Sequence, residues 1–347
     1  MAKPIEYTGA KLYHRHGYTG QGVVIAIMDT GVFPHPDLTL LPGWGDDPKW
    51  NPAEDTHGHG THVAGIAAGK RYGVAPGAKI LPVKISVDGR SNTFTMSAAL
   101  RWLADWKQTH PERLVVNISY TGTESPNVRV GIDRLVSMDV PVCVSAGNTG
   151  GELNEIAGYD TPIVVANLSD THHFHPTSSC RGAQTDCCTI GTEVYSCSHR
   201  GGYCYMTGTS MASPAVAGMM ALILSRWPDI SEADAYKELM RTGVDTLVKC
   251  RDGRHYIPYV SFDHAGWETK QEDDDVRQTA KIKGVSAGKK LIVRADANSA
   301  SSKVGNVQNG DVVIALRTEG AWREIAFAPA KKRACVGWIN SKYLEVQ

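Results

Sequence analysis

Several features that would each have pointed to a function class are missing from the 347-residue sequence. No apolar run approaches the roughly 18 residues that cross a bilayer, which excludes a membrane-spanning helix and with it a membrane partner. Met1–Gly9 holds no apolar leader core, so the sequence as written reads as cytoplasmic; it reads as secreted if a leader and propeptide have been removed. Net charge is zero, with 36 Lys+Arg against 36 Asp+Glu, so no bulk attraction draws the chain to nucleic acid. No C-x2-C pair occurs, and the paired-thiolate zinc modules are excluded with it. Repeats of about 20–50 residues and low-complexity tracts are missing too, which removes solenoids and arrays.

What is present is ordinary globular material: 42% hydrophobic and 21% charged residues, enough to fill a core. The charge is unevenly placed. Residues 276–347 carry 13 Lys+Arg against 5 Asp+Glu, and the rest carry 23 against 31. This asymmetry predicts two units. The acidic, polar stretch Asp263–Asp275 marks a linker assigned to 263–283, between a large unit over 1–262 and a small one over 284–347. Five of the eight cysteines fall between 180 and 204. Two readings stay open for them: free thiols, or disulfides joining Cys197 to Cys204 and Cys180 to Cys187 or Cys188. Zinc held by these thiols with His172, His173, His175 or His199 is the weaker alternative, for want of ligand spacing. Cys143, inside an apolar run, reads as a small core residue.

Val23–Met28 is a continuous apolar run, β-branched at Val23, Val24, Ile25 and Ile27, as in a strand buried on both faces. Similar runs recur at 80–85, 114–118, 140–144 and 163–166. Helical segments lie between and after them at 62–68, 95–106, 127–138 and 214–226. The alternation predicts an α/β fold with a mainly parallel sheet, whose chemistry sits at the carboxyl ends of the strands. After about residue 262 the pattern becomes short alternating strands at 290–294, 311–316, 322–327 and 335–339, a small β-barrel in outline.

Three segments carry chemistry. Asp29-Thr30-Gly31 follows the first strand. His59-Gly60-Thr61-His62-Val63-Ala64-Gly65 opens a helix. Gly208-Thr209-Ser210-Met211-Ala212-Ser213-Pro214 leads into a long apolar helix. Taken singly they read as a turn, a core histidine and a helix cap. Together they place a carboxylate, an imidazole and a hydroxyl in strand-end and helix-start settings. Ser145-Ala146-Gly147-Asn148 follows another strand in the same way.

These segments resemble the subtilase family, the subtilisin-like serine proteases, over roughly Gly17–Asp263. The resemblance implies a three-layer subtilisin-like domain and a serine endopeptidase working through an acyl-enzyme on protein or peptide substrates. A catalytically silent scaffold of the same fold is the alternative. Ser210 would be the nucleophile, His59 the general base and Asp29 the residue that orients it. Asn148 and the Ser210 N–H would hold the oxyanion. Gly89, Arg90 and Ser91 on one rim, and Ser119, Tyr120, Thr121 and Gly122 on the other, would bind substrate as an added strand. Thr121 stands where the family usually has Gly. Asp37 matches a family calcium ligand, but Gly69–Tyr72 is too short and basic to supply its partner loop. The strong calcium site is therefore expected to be absent, with Asp37 a turn residue, no metal ligand assigned, no cofactor required and a weaker calcium site left open. The family's propeptide is not visible. The landmarks Leu291–Arg294, Asn309–Asp311, Gly320–Trp322 and Gly337–Asn340 resemble a bacterial SH3-like domain, which implies a cell-wall peptide or protein ligand, with Trp322 and Trp338 either facing it or packed in the core. The protein is expected to be a monomer.

Overall fold

The apolar runs become the strands they predict. In this computed structural model the described residues are 2–346 except 121–124, 154–155, 170–172, 176, 251–252, 266–277, 287, 295–297, 302, 320 and 328–334. Thr121, Gly122 and His172 thus lie outside them. Two units separate, Met1–Gly266 and Trp267–Gln347.

In the first unit the strands are β1 (Val23–Asp29), β2 (Trp44–Gly45), β3 (Lys79–Lys84), β4 (Arg113–Ile118), β5 (Val142–Ser145), β6 (Ile163–Leu168), β7 (Cys187–Ile190), β8 (Val194–Cys197), β9 (Tyr203–Met206), β10 (Gly243–Cys250) and β11 (Gly253–Val260). The helices are α1 (Pro4–Tyr7), α2 (Lys11–Arg15), α3 (His59–Ala68), α4 (Thr93–Thr109), α5 (Pro126–Ser137), α6 (Thr209–Arg226), α7 (Glu232–Arg241) and α8 (Phe262–Ala265). Nine strands form one sheet in the order β10-β11-β7-β6-β5-β4-β1-β3-β2, and β8 and β9 form a separate hairpin. Every neighbouring pair in the sheet is parallel except β10 with β11.

All seven residues of β1 are buried, as a strand covered on both faces requires. Val24, Ala26 and Met28 share a core with Leu100 and Leu103 of α4 and Ile132 and Leu135 of α5. Val23, Ile25 and Ile27 point the other way, to the face where α3 and α6 pack. The result is three layers. The chain runs outward from β1 to β2 and β3, then returns past β1 to β4 and continues to β7. The carboxyl ends of β1 and β4 therefore diverge at a topological switch point, the place where such sheets leave a crevice.

α6 is buried from Thr209 through Ser225. A helix apolar on all sides has no solvent face to offer, and alanines and glycine let it approach the strands closely. α3 is held against the β8–β9 hairpin: a Cβ on Gly65 would lie 2.8 Å from Cys197 Cβ. His62 fastens the same junction. Its Nε2–H donates to the carbonyls of Val194 and Cys204 at 3.1 and 3.2 Å, and its buried Nδ1 has no partner.

Among the described residues, Cys180, Cys188, Cys197 and Cys204 are free thiols. The disulfide reading for Cys197 with Cys204 fails on register. Cys197 lies opposite Tyr203 and Cys204 opposite Ser196, so the two side chains leave opposite faces of the ribbon. Cys187 and Cys188 are buried in β7, where Cys188 Sγ sits 3.5 Å from the Pro258 carbonyl. Cys180 meets Thr149 Oγ1 at 3.1 Å instead of either of them.

The second unit is a sheet of β12 (Gln278–Ile282), β13 (Leu291–Arg294), β14 (Lys303–Val307), β15 (Val312–Glu319), β16 (Trp322–Phe327), β17 (Cys335–Asn340) and β18 (Leu344–Val346), ordered β14-β13-β17-β16-β15-β12-β18 and antiparallel throughout. Ala280, Ile282, Val293, Val313, Ile325 and Ile339 belong to its core. β12 falls inside the stretch assigned to the linker. Its alternation is too short to stand out beside the acidic run that precedes it. Trp338 is buried and Trp322 half-buried.

Burial, with a smaller contribution from nearby His59, pushes the His62 pKa down to about 4, partly offset by its two carbonyl bonds. In the unfolded chain it stands near 6.5. The unfolded state binds the extra proton first, so His62 stabilises the fold fully above pH 6.5, and this contribution is lost as pH falls toward 4. The shift corresponds to something on the order of 3 kcal/mol. Urea midpoints at pH 7 and pH 4.5 should therefore fall more steeply for wild type than for His62→Gln, and parallel losses in both would refute the assignment.

Candidate active site

Asp29 ends β1 and is 2% exposed. Its Oδ1 accepts the Thr30 N–H at 2.8 Å, which fixes the carboxylate at the strand end. The His59 Nδ1–H donates into this carboxylate at 2.8 Å to Oδ1 and 2.9 Å to Oδ2. That bond sets the tautomer, leaving the lone pair on Nε2, and the ring keeps 24% of its surface open. Burial pulls the imidazole pKa down, but the Asp29 charge, the hydrogen bond to it and the more distant Asp55 outweigh burial, and the net direction is up from 6.5.

The backbone around His59 depends on a residue the sequence reading did not single out. Asp55, 4% exposed, accepts from Gly58 N at 2.7 Å, His57 N at 3.2 Å, Thr61 N at 2.9 Å, Thr61 Oγ1 at 2.6 Å and Thr30 Oγ1 at 2.8 Å. It satisfies first-turn amides of α3 and places an anion at that helix's positive end. Gly60 permits the close approach: a Cβ there would fall on the Gly31 carbonyl and lie 3.0 Å from Asp29 Cβ. The signal for Asp55 was an acid shortly before a helix start, a pattern that also occurs at ordinary caps.

Ser210 lies in the first turn of α6, where its N–H has no partner within the helix. Its hydroxyl donates to the Ser119 carbonyl at 3.4 Å rather than to the His59 ring. Pro214, four residues on, has no N–H to give to the Ser210 carbonyl. Ser119 Oγ supplies the missing donor at 2.9 Å. Asn117 in β4 then completes a closed set, donating from Nδ2 to Ser119 Oγ at 2.9 Å and accepting from Ser213 Oγ at 2.8 Å.

Asn148 is anchored through its oxygen, which accepts Thr209 N and Thr209 Oγ1, each at 2.9 Å. That assignment leaves the Nδ2 amide of this exposed residue as the available donor. Ser91 N donates to the Tyr120 hydroxyl, so the two expected substrate rims meet there. Gly89, at φ 82°, turns the 88–91 loop against His57. Ser119 differs from the expectation, because its side chain faces inward under Ser210 and not toward a cleft. Asp37 differs as well. It is more than a turn residue: its carboxylate accepts the Tyr203 hydroxyl at 2.7 Å and Arg71 N at 3.2 Å. The structure thus joins Asp29 to His59 directly, and joins Asn148 to the start of the Ser210 helix through Thr209.

Comparison with known proteins gives a consistent result. The chain matches the model of the subtilase family over residues 20–308. It is 32% identical to Subtilisin BL of Lederbergia lenta over 237 residues, 66% of this chain and 86% of that protein. It is 34% identical to Subtilisin E of Bacillus subtilis (strain 168) over 249 residues, 67% of this chain and 63% of that one. Among solved structures, a cold adapted subtilisin-like serine proteinase aligns with a TM-score of 0.63 at 26% identity, covering 70% of this chain and 90% of that chain.

Removing the Ser119 hydroxyl leaves the Ser210 carbonyl buried without a donor, a loss of about 1–3 kcal/mol. Ser119→Ala should lower the denaturation midpoint accordingly and Ser119→Thr should restore most of it. Equal stability of the alanine variant and wild type would show that the carbonyl needs no donor.

Proposed function

Because the chain belongs to the subtilase family and is a serine endopeptidase, we propose that Ser210, His59 and Asp29 carry its peptide-bond hydrolysis, with Asn148 and the Ser210 N–H as oxyanion donors. The observation that supports this most is the buried carboxylate of Asp29 holding His59 Nδ1 at 2.8 Å, with the Nε2 lone pair left for a proton. In this reading the Ser210 hydroxyl leaves its long bond to Ser119 and turns to Nε2 as substrate binds, a tightening common at such sites. Oγ attacks the scissile carbonyl while His59 takes its proton, and the developing imidazolium is stabilised by Asp29. The carbonyl oxygen, now negative, is met by Asn148 Nδ2 and the Ser210 N–H at the helix's positive end. His59 returns the proton to the leaving amine, and water repeats the sequence on the acyl-enzyme.

Substrate would lie extended between Gly89, Arg90 and Ser91 on one side and the backbone of Ser119 and Tyr120 on the other; Thr121 and Gly122 lie outside the described residues. The bond from Ser91 N to the Tyr120 hydroxyl supports the nearness of these two rims. For the second unit we propose an SH3-like domain that binds a peptide or protein; its seven antiparallel strands and the half-buried Trp322 support this. The strong calcium site of the family is proposed to be lacking, since the short, basic Gly69–Tyr72 segment brings no carboxylate to join Asp37.

A serine-directed fluorophosphonate should label wild type and leave Ser210→Ala unlabelled. Equal labelling of both, or of neither, would overturn the nucleophile and favour the silent scaffold. The base must be neutral to act, and its pKa is raised, so kcat/KM should fall on acidification with a midpoint above 6.5. A profile flat to pH 5 would contradict a histidine base. Asp29→Asn loses the tautomer and the charge together, and kcat should drop by roughly 10⁴-fold.

A further inference from the structure

Outside the cleft, one cluster among the described residues gathers metal-binding side chains: His35, Asp37 and Cys197, all buried, with ligand atoms within 4.8 Å of one another. We propose that these three residues form a thiolate-containing zinc site. In sequence, the histidines nearest the 180–204 thiols are His172, His173, His175 and His199. The fold instead brings His35 and Asp37, from the loop after β1, to the end of β8.

The donors fit the ion. The His35 Nε2–H donates to the Gly202 carbonyl at 2.8 Å, which puts the ring's lone pair on Nδ1. A metal-bound imidazole is held by this kind of bond from its other nitrogen to a backbone carbonyl. Nδ1 accepts the Asp37 N–H at 3.1 Å, the one bond that the metal would replace on this ring. Asp37 brings a carboxylate whose Oδ2 is oriented by the Tyr203 hydroxyl at 2.7 Å, an outer partner of the kind that ligating carboxylates keep. Cys197 brings sulfur. One nitrogen, one oxygen and one sulfur suit zinc and exclude a calcium cage, which takes 6–8 oxygens. Around zinc, bonds of about 2.0–2.3 Å place tetrahedral ligands roughly 3.3–3.7 Å apart, so the three atoms must close by about 1 Å or a little more. Water fills the fourth position.

Arg71 lies at the mouth of the site, 3.7 Å from Asp37 Oδ1, with 68% of its side chain exposed. Zinc enters past it and takes its place at the carboxylate. As the Zn–S bond forms, the Cys197 S–H bond breaks and its proton leaves to water; no group is oxidised or reduced. The site then ties the loop after β1 to the β8–β9 hairpin, as the His35–Gly202 bond, between residues 167 apart in sequence, already does. That hairpin precedes the Ser210 helix.

The test takes the full chain carrying Ser210→Ala, to prevent self-digestion, strips it with chelator, and titrates cobalt(II) and then zinc(II). One equivalent of cobalt should produce a near-ultraviolet thiolate-to-cobalt band, and zinc should bleach it. With zinc at about 100 times its Kd, the thermal midpoint should rise by roughly 5–10 °C. Cys197→Ser should lose the band, Cys204→Ser should keep it, and His35→Gln should bind at least 10-fold more weakly. If Cys197→Ser does not fold by near-ultraviolet dichroism, His35→Gln decides alone. No thiolate band in the parent chain, a band surviving in folded Cys197→Ser, or undiminished affinity in His35→Gln would each overturn the site. So would equal thermal protection by calcium in folded Cys197→Ser and the parent, which would indicate an oxygen site.

Discussion

A helix buried on every side must satisfy its carbonyls through its own turns, and α6 fails to do so at one residue. Pro214 removes the donor for the Ser210 carbonyl, and Thr209–Ser225 has no water-facing side from which to borrow another. Ser119 at the end of β4 fills the gap, and Asn117 and Ser213 hold Ser119 in place. The position of the Ser210 backbone is thus tied to the sheet as well as to its own helix. Asn148, after β5, fastens the helix start from another side. The cleft floor is built from strand ends because the buried helix needs partners that strand ends can supply.

The start of α3 solves the complementary problem with charge. Two acids converge there with separate work: Asp29 takes the His59 side chain, and Asp55 takes the backbone that carries it. Buried Lys84 donates to the Glu54 carbonyl, which places a cation near Asp55. Buried carboxylates of this kind are tolerable because nearly every oxygen has a donor. The raised pKa of His59 follows from this arrangement and not from the ring's exposure.

How much of this was legible depends on the range of the interaction. β1 could be read from Val23–Met28 because burial on both faces leaves a continuous apolar run, and α6 from its lack of a polar side. Asp29, His59, Asn148 and Ser210 could be read because each sits where a strand ends or a helix begins, within a motif of several constrained residues. Asp55 could not, since its five partners come from Thr30 and from the turn it caps. Ser119 was visible as a rim residue, but its inward bond depends on a proline 95 positions later and on a packing that no local pattern encodes. The cysteine pairing stayed open for a similar reason: spacing across a hairpin tip does not state the register, and register alone sets which face each thiol takes. β12 was lost in an acidic stretch whose composition reads as linker.

The candidate site residues come from positions near 29, 59, 119, 148 and 210, and the helix that carries the last of them lies against strands already laid down. Such non-local pairings form late, after several long loops have closed. A chain still leaving the ribosome can have Asp29 and His59 already emerged while α6 is inside the exit tunnel. During that interval the imidazole has a carboxylate but no hydroxyl to activate. On the roles proposed for Ser210 and His59, an incomplete chain lacks the hydroxyl that cleavage needs until the buried helix docks.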